Sequence, residues 1–218
     1  MSEAARRAIL VHGLWAGRPS LALLARRLRS RGWTPDLFGY STAFETIPRV
    51  LERLLERAGA EDAPVLDWVG QSLGGLLIVR LLAEHGDALP PGRVVLLGTP
   101  LNGSAAARRL DRVAGARAML GHARRLLVEG VDALPPSHPV GMIAGNRGLG
   151  LGRLVARLEA PHDGTVSVSE TQHPGLAGHR VMPVTHTSMA FSGAVARAAA
   201  HFLQHGRFPD PDSAVGRV

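Results

Sequence analysis

The sequence predicts an α/β fold with a parallel sheet, and two observations lead to this prediction. First, short apolar, β-branched segments alternate with segments of helical spacing along most of the chain. Second, the apolar run from Val65 to Val69 leads into a tight, glycine-containing turn and then into a helical pattern. With 218 residues, of which 45% are hydrophobic, the chain is expected to form a single domain over residues 1–218.

Six strands are predicted, and each is a short apolar run. The third ends at a Gly-Gln-Ser turn, and the fourth ends at Gly98-Thr99-Pro100. Because segments with helical spacing separate most of these runs, the strands are expected to pair mostly in parallel, with helices on the faces of the sheet. The predicted strands are Arg7 to His12, Thr34 to Tyr40, Val65 to Val69, Arg93 to Leu97, Val140 to Gly145 and His179 to Pro183.

Four helices are predicted between and after these strands. Ser20 is the predicted N-cap of the first, with Gly32 just past its end, and Gly86 is the predicted C′ residue of the third. The tail from Pro209 to Val218 is expected to be loose. The predicted helices are Ser20 to Arg31, Thr46 to Ala58, Leu73 to His85 and Ser192 to Gln204.

The segment from Leu101 to His138 departs from the alternation, because it contains no strand pattern. Its apolar residues recur at helical spacing with arginines between them, and Gly115 and Gly121 are expected to break it into two or three short helices. Two interpretations are open. The segment is either a crossover lying on the sheet or an amphipathic lid that opens at an apolar or anionic interface.

The composition excludes several classes of function. The net charge is +7, but the basic residues are all arginine, are spread among acidic residues, and have no aromatic-rich strand beside them, so nucleic-acid binding is not expected. A transient contact with a membrane surface stays open. The absence of cysteine excludes disulfides and thiol nucleophiles. No secretory signal or membrane-spanning run is present, so a cytoplasmic location is expected.

The turn Gly70-Gln71-Ser72-Leu73-Gly74 carries the main chemical signal. It has the pattern G-x-S-x-G and lies between a predicted buried strand and a predicted helix. That context is typical of a nucleophile elbow, in which the serine hydroxyl is exposed at the end of a strand. A serine hydroxyl is a weak nucleophile, so it needs a base within hydrogen-bond reach and a group that orients the base.

Candidates for the base and its orienting acid follow the later strands. His186 comes directly after the last predicted strand and is the preferred base, with His162 as its rival. Asp163, between the fifth and sixth strands, is the preferred acid because a carboxylate there would hold an imidazole in the required tautomer. Three other acidic residues remain as weaker alternatives: Glu159, Asp132 and Glu170.

The oxyanion hole requires two backbone donors close to the nucleophile. The N–H of Leu73, directly after Ser72, is one candidate. The N–H of Leu14, just after the first strand, is the other, and His12 is expected to shape this loop. The residues expected to line the substrate site, below the segment from Leu101 to His138, are Trp15, Gln71, Leu101 and Met189.

Five motifs together resemble the α/β-hydrolase superfamily, and within it the bacterial lipases and small serine esterases. The resemblance extends from about Arg6 to Leu203. It implies that Ser72 is the nucleophile, Asp163 the acid and His186 the base, with the amides of Leu14 and Leu73 as the oxyanion hole. It also implies a reduced sheet of about six strands. The motifs are His12-Gly13-Leu14, Gly70 to Gly75, Gly98-Thr99-Pro100, Asp163 to Val166 and the terminal His186.

The expected function is therefore a serine carboxylic-ester hydrolase that works through an acyl-enzyme, without a metal or cofactor, on a small-molecule or lipid ester. Acyltransferase or thioesterase activity on the same triad is the alternative, because an acyl-enzyme is common to all three. A non-catalytic binding protein with this fold is a further alternative. The sequence does not predict the oligomeric state.

Overall fold

A six-stranded, entirely parallel sheet forms the centre of the fold. The computed structural model describes residues 6–61, 63–148 and 158–210. The strands lie in the order β2-β1-β3-β4-β5-β6, so β3 is an interior strand with β1 and β4 as its neighbours. This confirms the predicted parallel sheet of six strands. The strands are β1 (Arg6–Val11), β2 (Trp33–Phe38), β3 (Leu66–Gln71), β4 (Val94–Leu97), β5 (Val140–Gly145) and β6 (Gly178–Met182).

Six α-helices flank the sheet in the described residues. Four of them correspond to the predicted helices, and two lie in the segment from Leu101 to His138. They are α1 (Ala22–Arg29), α2 (Ile47–Gly59), α3 (Leu73–His85), α4 (Ala105–Arg112), α5 (Arg124–Glu129) and α6 (Gly193–His205).

Two predicted helix ends were wrong. Ser20 is not the N-cap of α1, because it lies inside a 3-10 turn, Arg18–Leu21, and its hydroxyl donates to the Gly17 carbonyl at 2.7 Å. Pro19 favours the start of that turn, since its fixed φ suits a first helical position. Gly86 has a φ of −59° and continues from α3 into a 3-10 turn, so it does not adopt the left-handed conformation of a C′ glycine.

Two apolar clusters cover the two faces of the sheet. On one face α2, α3 and the helices after β4 pack against inward residues such as Ile9 and Trp68. On the other face α1 and α6 pack against the alternate residues, for example Leu10 and Val69. Because both faces are covered, the interior strands are apolar on both sides, as parallel sheets require.

The segment from Leu101 to His138, hereafter the insertion, is a packed layer. Gly115 (φ 82°) and Gly121 (φ 53°) interrupt its helices, as predicted: Gly115 lies between α4 and a 3-10 segment, Ala116–Ala123, and Gly121 kinks that segment before α5. Leu120, Leu126 and Leu127 are buried in the same cluster as α2 and α3. These contacts favour the crossover interpretation over a lid that lifts as a whole.

A buried carboxylate supports the amino end of β3. Asp67 is fully buried and accepts hydrogen bonds from the Trp33 indole at 2.8 Å and the Arg93 amide at 2.9 Å. Arg6 forms an ion pair with it at 2.8 Å. Burial raises the pKa of the Asp67 carboxyl, and these hydrogen bonds oppose that effect. The network ties β1, β2, β3 and the start of β4 together at the amino edge of the sheet.

No helix in the described ranges is long and apolar enough to cross a membrane. The expectation of a loose tail from Pro209 to Val218 falls mainly on residues 211–218, which lie outside the described residues.

We expect Asp67→Ala to lower the free energy of unfolding by about 3–5 kcal/mol, because it leaves the buried Trp33 indole and the partly buried Arg6 guanidinium without their acceptor. Urea unfolding monitored by circular dichroism would measure the loss. The exposed Asp87 provides a matched control, and Asp87→Ala should change stability by less than about 0.5 kcal/mol. Equal effects of the two substitutions would contradict a stabilising role for the Asp67 network.

Candidate active site

Ser72 occupies a strained turn between β3 and α3. Its φ is 53° and its ψ is −121°, a conformation that costs a residue with a side chain roughly 1–3 kcal/mol. Close packing requires glycine on both sides of it. A Cβ at Gly70 would lie 2.4 Å from the Cα of Gly75, and a Cβ at Gly74 would lie 2.2 Å from the carbonyl oxygen of Val11. The turn therefore has the geometry of the predicted nucleophile elbow.

Asp163 and His186 form a pair joined at two points. The ring Nδ1 of His186 lies 2.7 Å from Oδ2 of Asp163, and the His186 backbone N–H donates to the Asp163 carbonyl oxygen at 2.9 Å. The other carboxylate oxygen accepts the amides of Thr165 and Val166 at 2.9 and 2.8 Å. Asp163 is only 1% exposed. Its carboxylate is thus fixed in orientation, and a hydrogen on Nδ1 leaves Nε2 of His186 as the proton acceptor.

The loop after β4 packs directly against this pair. Gly98 has a φ of 57°, and a Cβ there would lie 3.0 Å from both Oδ2 of Asp163 and Nδ1 of His186. Any side chain at this position would disturb the hydrogen bond between acid and base. The Gly-Thr-Pro motif after the fourth predicted strand therefore has a steric role at the site, which sequence reasoning did not assign.

Ser72 and His186 border the same small cleft at the carboxyl edge of the sheet. The cleft has a volume of about 170 Å³. Loops after parallel strands converge at this edge, which explains how residues far apart in sequence come together here. The residues lining the cleft are Gly13, Leu14, Ala16, Ser20, Gln71, Ser72, His186, Thr187, Ala190 and Phe191.

The loop after β1 brings Leu14 close to Ser72. A Cβ at Gly13 would lie 3.2 Å from the Cβ of Ser72, so this loop and the elbow are in contact, and Leu14 lines the cleft. Leu73 is the first residue of α3, where an amide has no carbonyl partner within the helix. Both predicted oxyanion-hole residues thus adjoin Ser72.

Comparison with solved structures shows the fold of this chain. No protein-family model and no curated protein matches its sequence. The mature form of a lipase from Bacillus licheniformis is similar, with a TM-score of 0.67 and 19% identity over 87% of this chain and 88% of that one. The chain has the α/β-hydrolase fold. The superfamily resemblance read from the sequence is therefore confirmed at the level of the fold.

Two further solved structures illustrate the range of the similarity. A metagenomic carboxyl esterase has a TM-score of 0.67 and 19% identity over 87% of this chain and 67% of that one. A pyrethroid hydrolase from Sphingobium faniae has a TM-score of 0.60 and 14% identity over 92% of this chain and 98% of that one. At such low identities the likeness concerns the fold alone.

His12 has a structural position in the loop after β1. It is buried, stacks on Tyr40 with ring centroids 4.5 Å apart, and accepts the Tyr40 backbone N–H on Nε2 at 3.4 Å. An amide can only donate, so Nδ1 must carry the hydrogen that bonds the Gly13 carbonyl at 2.9 Å. The ring is thus neutral, and burial lowers its pKa. This supports the expectation that His12 shapes the loop.

The four residues expected to line the substrate site have different positions. Gln71 lines the cleft, and its amide also donates to the His186 carbonyl at 3.0 Å. Leu101 and Met189 are fully buried in the two apolar clusters and do not line the cleft, so the structure contradicts that expectation for both. Trp15 is 64% exposed and likewise is not part of the lining.

The alternative bases and acids make local contacts instead. The His162 ring accepts the Gly164 amide at 3.1 Å, and Glu159 accepts the Ser169 hydroxyl at 2.7 Å. Glu170 accepts the amides of Ser167, at 2.7 Å, and Ala105, the first residue of α4. The carbonyl of Asp132, on the insertion, lies 3.4 Å from the ring nitrogen of His173. The observed contacts thus single out Asp163 as the partner of His186.

Sequence reasoning missed several residues that line the cleft, of which Phe191 is the largest. It lies in the 3-10 turn Ser188–Phe191, five positions after His186. Its place in an irregular turn gave no periodic signal.

Within the described ranges, no cluster of three or more histidine, aspartate or glutamate side chains is arranged to hold a metal ion.

The neutral state of His12 predicts a pH-dependent stability. The folded pKa lies below the unfolded value of about 6.5, so the unfolded chain binds more protons in that window. The contribution of neutral His12 to stability is fully present above about pH 6.5 and decreases as the pH falls towards the pKa of the folded state. Between pH 7.5 and 5.5, the free energy of unfolding of His12→Asn should decrease by about 1 kcal/mol less than that of the wild type. Urea unfolding at both pH values would measure this difference.

Some dependence of the free energy of unfolding on pH should remain in His12→Asn, because burial also lowers the pKa of His138 and His179. The exposed His85, at the end of α3, serves as the control. His85→Asn should keep the pH dependence of the wild type. A wild-type slope in His12→Asn would show that His12 is not held neutral by its buried contacts.

Proposed function

We propose that this α/β-hydrolase is a serine hydrolase that cleaves carboxylic esters through an acyl-enzyme. The observation that carries the proposal is the Asp163–His186 pair beside the strained Ser72 elbow in one cleft. A buried acid, an imidazole bonded to it through Nδ1 and a nearby hydroxyl at the start of a helix are the parts that acyl transfer by serine requires. The structural similarity to lipases and esterases is consistent with this chemistry.

The reaction follows from these positions. Ser72 Oγ attacks the ester carbonyl carbon while His186 Nε2 takes the hydroxyl proton. The resulting imidazolium is stabilised by the buried Asp163 carboxylate. His186 then returns the proton to the alkoxide of the leaving alcohol, and an ester between Ser72 and the acyl group remains. A water molecule, activated by His186, attacks this ester, releases the carboxylic acid and restores the serine.

Two amides would stabilise the negative charge on the carbonyl oxygen. The Leu73 N–H belongs to the first turn of α3, where the helix dipole adds favourable potential for an anion. The Leu14 N–H belongs to the loop that contacts Ser72 through Gly13. Donors held in place before the reaction need no reorganisation in the transition state, and this effect is a large share of catalysis in acyl transfer.

The size of the cleft supports short acyl groups as substrates. At about 30 Å³ for each water molecule in the liquid, a cleft of about 170 Å³ has room for roughly six water-sized groups. Its apolar lining comes from Leu14, Ala16, Ala190 and Phe191, and among the described residues no acidic or arginine side chain lines it. We therefore propose uncharged esters of short carboxylic acids as the substrate class.

The proposed function predicts covalent labelling of Ser72 by a fluorophosphonate probe. Phosphonylation requires an activated serine, so the purified wild-type protein should be labelled and Ser72→Ala should not. Mass spectrometry of the labelled peptide would locate the adduct.

Asp163→Asn should still fold but lose turnover of a p-nitrophenyl ester by a factor on the order of 10⁴, because the imidazole loses the acid that fixes its tautomer.

The controls separate the interpretations. Glu159→Gln changes an exposed acid nearby and should retain wild-type turnover. Wild-type protein that is folded but neither labelled nor active on any ester would contradict the proposed function and favour a binding protein with this fold. Full activity in Asp163→Asn would transfer the acid role to another carboxylate.

The cleft predicts a preference for short chains. Across p-nitrophenyl esters from acetate to palmitate, we expect kcat/KM to be highest at about two to six carbon atoms and to fall by more than about tenfold at longer chains. Phe191→Ala removes the largest side chain of the lining and should move the optimum to longer chains. Phe44→Ala, at a 90% exposed position outside the lining, is the matched control. An optimum at palmitate in the wild type would contradict this substrate class.

A further inference from the structure

Trp15 adopts a backbone conformation that is unusual for its residue type. It is the third residue of a turn closed by the Ala16 amide, which donates to the Gly13 carbonyl at 3.3 Å. Its φ is 58°, and among the described residues only Ser72 is another non-glycine residue with positive φ. Left-handed positions at the third residue of a turn favour glycine or asparagine, and a bulky residue there costs roughly 1–2 kcal/mol. A tryptophan in this conformation therefore requires a compensating contact.

That contact is a hydrogen bond to the insertion, not burial in the core. The Trp15 indole N–H donates to the Met119 carbonyl at 2.9 Å, while the side chain is 64% exposed. The bond joins residues 104 positions apart. It connects the loop that carries Leu14 to the 3-10 segment between α4 and α5.

The acceptor is itself held in place. Leu120, next to Met119, is buried in the cluster under the insertion. The His122 amide donates to the Thr42 carbonyl at 3.0 Å, and a Cβ on Gly121 would lie only 2.4 Å from the same oxygen. The residues directly after Met119 are therefore fixed by packing and by a hydrogen bond, so its carbonyl can define the position of the indole.

We infer that Trp15 is a positioning residue for the oxyanion hole, through which the insertion sets the orientation of the Leu14 amide. This inference rests on the proposed function. Leu14 and Trp15 are the two central residues of one four-residue turn, whose first residue, Gly13, contacts Ser72. Without the indole bond, Trp15 would relax to negative φ, and a glycine at this position would sample both signs of φ, so either change would disturb the peptide planes of this turn. Displacement of a catalytic donor by about 1 Å can reduce the rate by as much as about 100-fold.

Two substitutions of Trp15 test the inference. Trp15→Phe keeps an aromatic ring but removes the indole donor, and Trp15→Gly removes both the donor and the strain of positive φ. With a short p-nitrophenyl ester as substrate, we expect each substitution to lower kcat by about tenfold relative to the wild type. KM should change by less than about twofold. The urea midpoint of Trp15→Gly should be equal to or above that of the wild type, because glycine suits this conformation.

A transition-state mimic distinguishes positioning from a general loss of structure. Phenylboronic acid would form a tetrahedral anionic adduct on Ser72 whose oxygen occupies the oxyanion hole. In both Trp15 variants, the inhibition constant of phenylboronic acid should rise by the same factor by which kcat/KM falls. Phe44→Leu, at a 90% exposed aromatic position without a role in the turn, should leave kcat, KM and boronate inhibition unchanged.

A third variant acts from the insertion side of the bond. Gly121→Ala forces the backbone at residue 121 or at Thr42 to shift, because of the contact with the Thr42 carbonyl, and this disturbance lies two positions after Met119. It should lower kcat by about as much as Trp15→Phe does. The kcat of the double variant should be no more than about twofold below that of the less active single variant. A product of the two single effects would show independent causes and overturn the inference.

Other outcomes separate this inference from the proposed function. If the wild type reacts with the fluorophosphonate probe and Trp15→Gly has wild-type kcat, the positioning role is wrong and the proposed function stands. A rise in KM at constant kcat would make Trp15 a substrate contact and would also overturn the inference. Wild-type protein that does not react with the probe would reject the proposed function itself.

Discussion

The close approach of the β3–α3 turn to its neighbours is the constraint on which the rest of the site depends. Ser72 can hold its left-handed conformation because Gly70 and Gly74 let the turn pack against α3 and the end of β1. The same closeness brings Gly13 into contact with the serine and Gly98 into contact with the Asp163–His186 pair. Each loop is therefore positioned against the elbow by backbone atoms, which leave little room for adjustment.

The insertion stabilises two parts of the site from its two ends. At its base, the Asn102 side-chain amide donates to the carbonyls of Ser169 and Gln172 at 3.1 and 2.8 Å, and Glu170 caps the start of α4. These bonds join the insertion to the loop that carries Asp163. At its tip, the Met119 carbonyl receives the Trp15 indole. The insertion thus contacts both the loop that carries Asp163 and the loop that carries Leu14 and Trp15.

The two edges of the sheet have different roles. At the amino edge, Asp67 accepts hydrogen bonds from donors on two strands, β1 and β2, and on the loop before β4, and a buried charge requires several such partners. At the carboxyl edge, strain and close packing hold Ser72, and the acid–base pair is buried on the side of Asp163 and open to the cleft on the side of His186. Stability from one edge offsets the cost of the strained conformations at the other.

The sequence by itself determined the six strands, the four main helices, the breaks at Gly115 and Gly121 and the candidates Ser72, Asp163 and His186. These rest on local signals, since periodicity, glycine turns and strand ends are properties of neighbouring residues. Only the tertiary structure decided that Leu101 and Met189 are core residues, that Phe191 lines the cleft and that Trp15 bonds the insertion. The physical reason is that the side of an irregular loop that faces a cleft depends on segments distant in sequence, whose packing leaves no periodic pattern within the loop itself.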